Sequence, residues 1–336
     1  MGAYIRKRLF LGLIVLFGVV TITFTITRII PSEPAAKWVG PRATQEQIKQ
    51  AEIELGLDKP LIVQYGRYLQ SLAKGDLGYS LRTHQPVTRE LAGFIPATLE
   101  LVLLSFILAI TLGIPLGIYS AKKKDKLLDH VSRLFSIGSV SLPTFWVALF
   151  LQLIFYNYLG ILPLGGRIST QMAVMYDIPN ITGMLLFDSL ITGQWMIFKD
   201  ALLHILLPCI TIALYPIGLV ARMTRSALLE ILNEDYIVAA RSYGLRENKI
   251  LWSYALKNTL GPTAIVVTLS LGYTLVNTFL VEAIYSWPGL GNYVATAVIT
   301  MDYPAIMGAT IFSAACYIVL NIVADIIIAL DPRIRI

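Results

Sequence analysis

Residues 234–258 read EDYIVAARSYGLRENKILWSYALKN, and the stretches on either side, about 202–222 and 261–282, are almost wholly apolar. A run of about twenty apolar residues is what a helix rising 1.5 Å per residue needs to cross roughly 30 Å of hydrocarbon. The insert therefore separates two membrane crossings and must lie outside the lipid. Working outward, comparable runs occur at about 97–120, 133–159 and 304–330, and a further one at 9–27 follows the basic start MGAYIRKR. A signal peptide would have a shorter apolar region and a small-residue cleavage site, so this first run is expected to be a retained helix.

The composition agrees. Of 336 residues, 56% are hydrophobic and 14% charged, with a mean hydropathy of +0.69, whereas a soluble domain carries roughly a quarter charged residues. Six crossings place both termini on one side. With that side as the cytoplasm, Arg6, Lys7, Arg8, Lys122, Lys123, Lys124, Lys126, Arg133, the basic residues of 222–257, Arg333 and Arg335 all lie inside. The short outer loops, about 160–201 and 283–303, hold only Arg167 and Lys199. The positive-inside rule thus predicts cytoplasmic termini. The basic residues of 28–89 escape the rule because long segments translocate largely regardless of charge.

The chain divides into an N-terminal membrane helix (1–30), a small helical cap outside the membrane (31–95), and a core of five membrane helices (96–336) interrupted by the loop 223–260. In the cap, Thr44 and Gln47 form a capping box, Gly56 ends the helix they start, and Leu61, Tyr65, Leu69 and Leu72 share a face of a second helix. Such a cap could contact an external partner or pack on its own spans. Prolines 115, 143, 208 and 216 fall inside spans, where neighbouring helices can satisfy the freed carbonyls. Gly113 and Gly117 form a GxxxG that suits a close helix contact.

Several classes are excluded. There is no phosphate-cradling GxxxxGK[ST] loop, so this chain does not bind ATP in that way. Cys209 and Cys316 lie in apolar runs and do not suggest a disulfide, and His84, His130 and His204 are too dispersed for a shared metal site. Nothing resembles a nucleic-acid surface, a protease dyad or another catalytic constellation. Glu100, Glu282 and Asp325 all fall near span ends and form no proton relay across the bilayer. Transport by this chain would require an external motor.

Within the insert, Asn233 can cap a short helix carrying Glu234 and Asp235 in its first turn, where acids complement the dipole, and Gly244 is the expected stop. Tyr236, Ala240 and Tyr243 share a face, and Ala239 and Ala240 permit close approach by another surface. A second helix, about 247–258, would align Ile250, Leu251, Tyr254 and Ala255 before Gly261 and Pro262 turn the chain into span five. These features fit either a docking peg or an amphipathic hairpin lying on the membrane.

The loop, with Ala239, Ala240, Arg241 and Gly244 ahead of Pro262, resembles the EAA loop of ABC importer permeases. Val238 stands where an acid is usual, and the interval from Gly244 to Pro262 is long, both as in the dipeptide/oligopeptide subgroup. Similarity extends through GDLGYS (75–80), PATLEL (96–101), SLPTFW (141–146), LPLGG (162–166), RMTRSALLE (222–230), VEAIYSWPGLG (281–291) and DPRIRI (331–336). The resemblance implies an all-α integral membrane protein with the type I ABC importer permease fold, in a prokaryotic inner membrane. It also implies a homologous second permease, two ATPase subunits that carry ATP and Mg, and an extracytoplasmic solute-binding protein. Its members carry peptides, and some carry oligosaccharides or nickel; a stand-alone carrier is the other class to test. The loop 234–258 would dock on an ATPase. Ser270, Thr274, Asn277, Thr278 and Glu282 are candidate pathway residues, the first four alternatively making interhelical hydrogen bonds. Trp287, Pro288, Gly289 and Gly291 form a candidate gate turn, with an interfacial anchor as the other reading of Trp287.

Overall fold

A computed structural model describes residues 2–29 and 33–330; the DPRIRI motif and its two arginines lie outside the described residues. In chain order come α1 (Gly2–Ile29), then the cap helices α2 (Pro34–Val39), α3 (Gln45–Glu54) and α4 (Leu61–Ala73), then α5 (Val87–Lys122), α6 (Leu127–Ser141) and α7 (Thr144–Gln152). Short helices α8 (Thr170–Met175) and α9 (Leu185–Ile191) lead to α10 (Trp195–Ile231), α11 (Asp235–Ser242) and α12 (Glu247–Lys249). The chain finishes with α13 (Leu256–Ile284), α14 (Leu290–Thr300) and α15 (Tyr303–Leu330). Among the described residues there is no β-strand, only an isolated bridge between Tyr79 and Pro86. Four helices (α1, α5, α10 and α15) are long and apolar enough to cross a membrane, and two bent pairs raise the number to six if each is one span.

The third crossing is not the continuous helix expected at 133–159. Helix α6 and the α7 segment meet at 105°. Pro143 crowds the backbone of the residue before it and disfavours helical geometry there; Leu142 is extended, at φ −75° and ψ 133°. Prolines 115, 208 and 216 instead stay inside α5 and α10. Nor does Gly261-Pro262 turn the chain. A helix starting at Glu247 continues through a π-helical turn, Ile250–Ala255, into α13 with Pro262 in its interior. A proline there removes one backbone hydrogen bond, but the residues on both sides keep an apolar face to bury.

Helices α5 and α10 form the central pair. The GxxxG lets them close: a Cβ on Gly113 would sit 2.9 Å from Val220 Cβ, and one on Gly117 2.6 Å from the Ala221 carbonyl oxygen. Helix α1 packs along α15, where Gly12 faces Ile318 and Arg8 pairs with Asp325 at 2.9 Å. The capping box at Thr44 and Gln47 is present, and Gly56 takes φ +66° beyond α3. The cap rests on α1: Tyr65 OH and Thr21 Oγ1 are 2.6 Å apart, and Phe24 contacts the rings of Tyr65 and Tyr68. Leu61, expected on this packed face, is exposed, because the half-buried face of α4 runs through Tyr65, Tyr68, Leu69 and Leu72. Helix α5 begins at Val87, so the boundary at 95/96 falls within one continuous helix.

Candidate functional site: a docking loop and a braced turn at opposite ends of the bundle

The insert starts where α10 ends. Asn233 does not cap α11; its Nδ2 donates back to the Leu229 carbonyl at 2.9 Å. Glu234 takes the N-cap position instead, with extended backbone and no side-chain cap bond. The close is the expected one. Gly244 at φ +75° reverses the chain while Leu245 N donates to the Ala240 carbonyl at 3.2 Å and Tyr243 N to that of Ala239 at 2.9 Å. Those bonds satisfy carbonyls that a helix end otherwise leaves unpaired.

Ile237 and Ala240 are buried against Ile118, Leu228, Ile250 and Leu251. Full burial of an isoleucine is worth about 1.5–3 kcal/mol, so this face is the loop's anchor. Ala240 is thus committed to the chain's own core, and of the two alanines only Ala239 is outward. Around it Tyr236 and Val238 are exposed, and Tyr243 is 86% exposed. Ala240 and Tyr243 therefore do not present a common outer face, because Ala240 turns inward to fill the seam with the π-helical turn. Tyr254 also departs from its expected alignment, remaining exposed while Ile250, Leu251 and Ala255 are buried. Arg241 pairs with Glu247 at 2.9 Å across the turn, Asn258 Nδ2 donates to Tyr236 OH at 2.6 Å, and Lys122 Nζ to Asn248 Oδ1 at 2.8 Å. The result is a braced peg with an aromatic outer surface.

Beneath it lies a contact that sequence reasoning missed. Asp129 on α6 is fully buried and takes two bonds from Arg225 on α10, Nε to Oδ1 at 2.6 Å and Nη2 to Oδ2 at 2.8 Å. Ser120 Oγ adds a 2.5 Å bond and the Asp125 N–H one of 3.0 Å. A planar guanidinium meeting a carboxylate through two parallel bonds fixes orientation as well as distance. It ties the loop-proximal ends of α5, α6 and α10 together. Arg225 belongs to RMTRSALLE, yet its partner lies 96 positions away and no spacing rule connects them.

At the other end of α5, ~35 Å away by helix rise from Ala121 to Thr98, the motifs PATLEL, LPLGG and VEAIYSWPGLG converge. Trp287 is 1% exposed, and its Nε1 donates to the Ala97 carbonyl at 2.9 Å, so it is no interfacial anchor. Glu282 is buried and accepts from Thr98 Oγ1 at 2.7 Å and from Gly291 N at 2.5 Å. A Cβ on Gly289 would lie 2.5 Å from both Glu282 Oε2 and Thr98 Oγ1. Only glycine fits. Pro288 is left as the exposed tip. From LPLGG, Gly166 N donates to the Tyr285 carbonyl at 2.7 Å, and Gly165 packs directly on that carbonyl. Arg167 bonds Glu100 through Nη2 at 2.5 Å, reaches the Gly183 carbonyl at 2.6 Å and lies 5.8 Å from the Trp287 ring centre. Asp188 accepts from the Ile181, Thr182 and Gly183 N–H groups and from Thr182 Oγ1. Burial alone would raise its pKa, but those donors hold the carboxyl below its ordinary value.

Among the span-five candidates, Asn277, Thr278 and Glu282 share one largely apolar recess of about 580 Å³ with Gly291 of the turn, Thr98 and Tyr317. Ser270 and Thr274 lie outside it. Ser270, Asn277 and Thr278 bond carbonyls of their own helix at 2.7–2.9 Å rather than neighbouring helices. Among the described residues no group of three or more His, Cys, Asp or Glu side chains gathers as a metal site would require.

A helical bundle with a braced loop at one end and a locked turn at the other has the build of a polytopic membrane component. Comparison with known proteins makes the class specific: the chain belongs to the family of binding-protein-dependent transport system inner membrane components, whose core model matches residues 113–336 and whose N-terminal model matches 1–102. It is 42% identical over 332 residues to a probable D,D-dipeptide transport system permease protein of Escherichia coli (strain K12), covering 98% of this chain and 96% of that one. It is 38% identical to a dipeptide transport system permease protein of Alkalihalophilus pseudofirmus, and 33% to an oligopeptide transport system permease protein of Bacillus subtilis (strain 168), each over 100% of both chains. This is an inner-membrane permease.

Proposed function

We propose that the chain forms one half of the pathway of an ATP-driven importer of di- and oligopeptides, with both termini and the 234–258 loop in the cytoplasm. Peptides are favoured because full-length relatives at 33–42% identity carry dipeptide or oligopeptide names. The observation that carries the coupling role is the build of α11: one face buried in the bundle, the other an exposed cluster around Tyr243. A ligand shifts a two-state equilibrium only through differential affinity for the two states, so a motor must grip the pore through a rigid contact. Two ATPase subunits would supply that grip together with ATP and Mg, while this chain binds neither. A homologous second permease would complete the pore, and an extracytoplasmic binding protein would deliver the solute. The 281–291 turn is the gate in this reading, with Asn277, Thr278 and Glu282 on the recess beside it.

The test is reconstitution of the chain with its partners in proteoliposomes and measurement of ATP-dependent uptake. Accumulation of labelled dipeptide that unlabelled peptide competes away is expected. Uptake of an oligosaccharide or nickel instead would reassign the cargo, and flux through this chain alone without ATP would reject the importer.

A further inference from the structure

The cap and the Arg28 end of α1 enclose a cavity of about 460 Å³, within the roughly 300–1,000 Å³ of small-ligand sites. The transport reading gives it no role. Its wall includes Phe24, Arg28, Trp38, Glu54, Asp76 and Tyr303. Tyr303 is 8% exposed, yet its hydroxyl has no hydrogen-bond partner among the described residues. Buried hydroxyls nearly always find a partner, so this one is built for something that comes from outside the chain.

The charges around it are also uncommitted. Arg28 makes no ion pair with any described carboxylate, its guanidinium lying instead 5.3 Å over the Phe24 ring. Among the described residues Glu54 accepts only from Gln50, at 3.4 Å, and Asp76 from the Gly78 N–H, at 2.9 Å, and neither pairs with a described cation. One unpaired cation and two unpaired acids lining a common space match a ligand that carries both signs. Position narrows the ligand further. Arg28 closes the apolar stretch Arg6–Ile29, while Phe24 and Met307 continue the cavity toward lipid depth. Trp38 and Tyr68 supply the amphipathic rings usual at a membrane boundary.

We propose that this cavity binds the headgroup of a zwitterionic aminophospholipid. The phosphate meets Arg28 and the Tyr303 hydroxyl, the ammonium faces Asp76 and Glu54, and the acyl chains run along Phe24 and Met307 into the bilayer. A dipeptide is also a zwitterion, so the experiment separates the two sources.

Native mass spectrometry of the purified permease with its co-purifying partners measures binding of phosphatidylethanolamine, of phosphatidylglycerol, and of phosphatidylethanolamine in competition with a dipeptide. The same titrations use Arg28→Gln and Tyr303→Phe. One tightly held phosphatidylethanolamine is expected, with phosphatidylglycerol about tenfold weaker and Arg28→Gln weakening the ethanolamine lipid about tenfold. Tyr303→Phe, which keeps the ring, is expected to weaken it about two- to tenfold, the range of one hydrogen bond. Stripped of lipid, Tyr303→Phe melts no lower than wild type, because it removes an unpaired buried group. Equal binding of the two lipids, or binding indifferent to both variants, overturns the proposal. Displacement of the lipid by dipeptide in wild type assigns the cavity to peptide and overturns the lipid source without touching the importer reading.

Discussion

The Asp129–Arg225 pair should behave as a unit. Removing Arg225, as in Arg225→Gln, leaves a fully buried carboxylate faced by Ser120, the Asp125 N–H and, at 3.8 Å, the largely exposed Arg133 Nε. Breaking a buried pair from one side costs about 3–5 kcal/mol. Arg225 keeps 19% side-chain exposure, which places the expected loss near the lower end, about 3 kcal/mol. Asp129→Asn keeps the shape but turns an amide N–H₂ against guanidinium donors and gives up two charge-assisted bonds, for a loss of similar size. Replacing both residues, as Asp129→Leu with Arg225→Met, removes the desolvation cost along with the attraction and is expected to cost less than about 1 kcal/mol. The assay is unfolding of the purified chain by sodium dodecyl sulfate, followed by circular dichroism and read as a double-mutant cycle. With Arg225→Met and Asp129→Leu as the singles of the cycle, each costing about 3 kcal/mol against less than about 1 kcal/mol for the two together, the account predicts a coupling of about 5 kcal/mol. Single variants within about 0.5 kcal/mol of wild type, or a double variant costing the sum of the singles, would refute the reasoning.

Gly289→Ala forces a methyl to within 2.5 Å of Glu282 Oε2 and Thr98 Oγ1 and is expected to cost about 1–3 kcal/mol and to impair uptake. Gly138→Ala is the control: its Cβ meets nothing within 4 Å and it sits inside α6, so it should leave stability unchanged or raise it by up to about 1 kcal/mol. If the two alanines act alike in the same unfolding assay, the close approach at Gly289 carries no weight. Asp188→Asn should loosen the 181–183 loop, detectable as faster amide exchange there, and its effect should depend on pH. The native carboxyl lies below its ordinary value, so its stabilisation is present in full above the unfolded aspartate value of about 3.9 and fades as pH falls through the lower native one. Exchange at 181–183 that is already fast in wild type at neutral pH would contradict this.

Much of the fold was legible because membrane crossing imposes a length and composition that few other structures share. The runs at α1, α5, α10 and α15, the capping box at Thr44 and the stop at Gly244 follow from local chemistry. The bend at Pro143 does not. Prolines 115, 208, 216 and 262 sit within helices, whereas at Pro143 the two segments share α10 but divide between α5, on which α6 packs, and α13, on which α7 packs, information that no local pattern contains. The loop shows the same limit at finer scale. A short helix with several small and aromatic positions has no unique apolar face, and only the surrounding Ile118, Leu228 and Ile250 decide that Ile237 and Ala240 turn inward. Periodicity is equally silent on partners distant in sequence. Asp129 with Arg225, Glu100 with Arg167, and Ser80 with Asp302 at 2.5 Å join positions 67 to 222 apart. Trp287 reads equally well as part of a gate turn or as an interfacial anchor in the sequence, and neither reading contains the hydrogen bond its indole N–H donates to the Ala97 carbonyl.

The central claim is that α11 is the handle of a separate motor, and the most direct measurement is a detergent pulldown with this chain as bait, comparing wild type with Gly244→Asp. The site suits the test because a Cβ there meets nothing within 4 Å, while φ +75° penalises any side chain modestly and aspartate less than most. The bundle should therefore fold, and the added acid should act at the docking surface. The account predicts that wild type recovers a second permease together with ATPase subunits, and that Gly244→Asp keeps the permease and loses the ATPases. Recovery of ATPases at the wild-type level by the variant, or their absence from a folded wild-type complex, would contradict it.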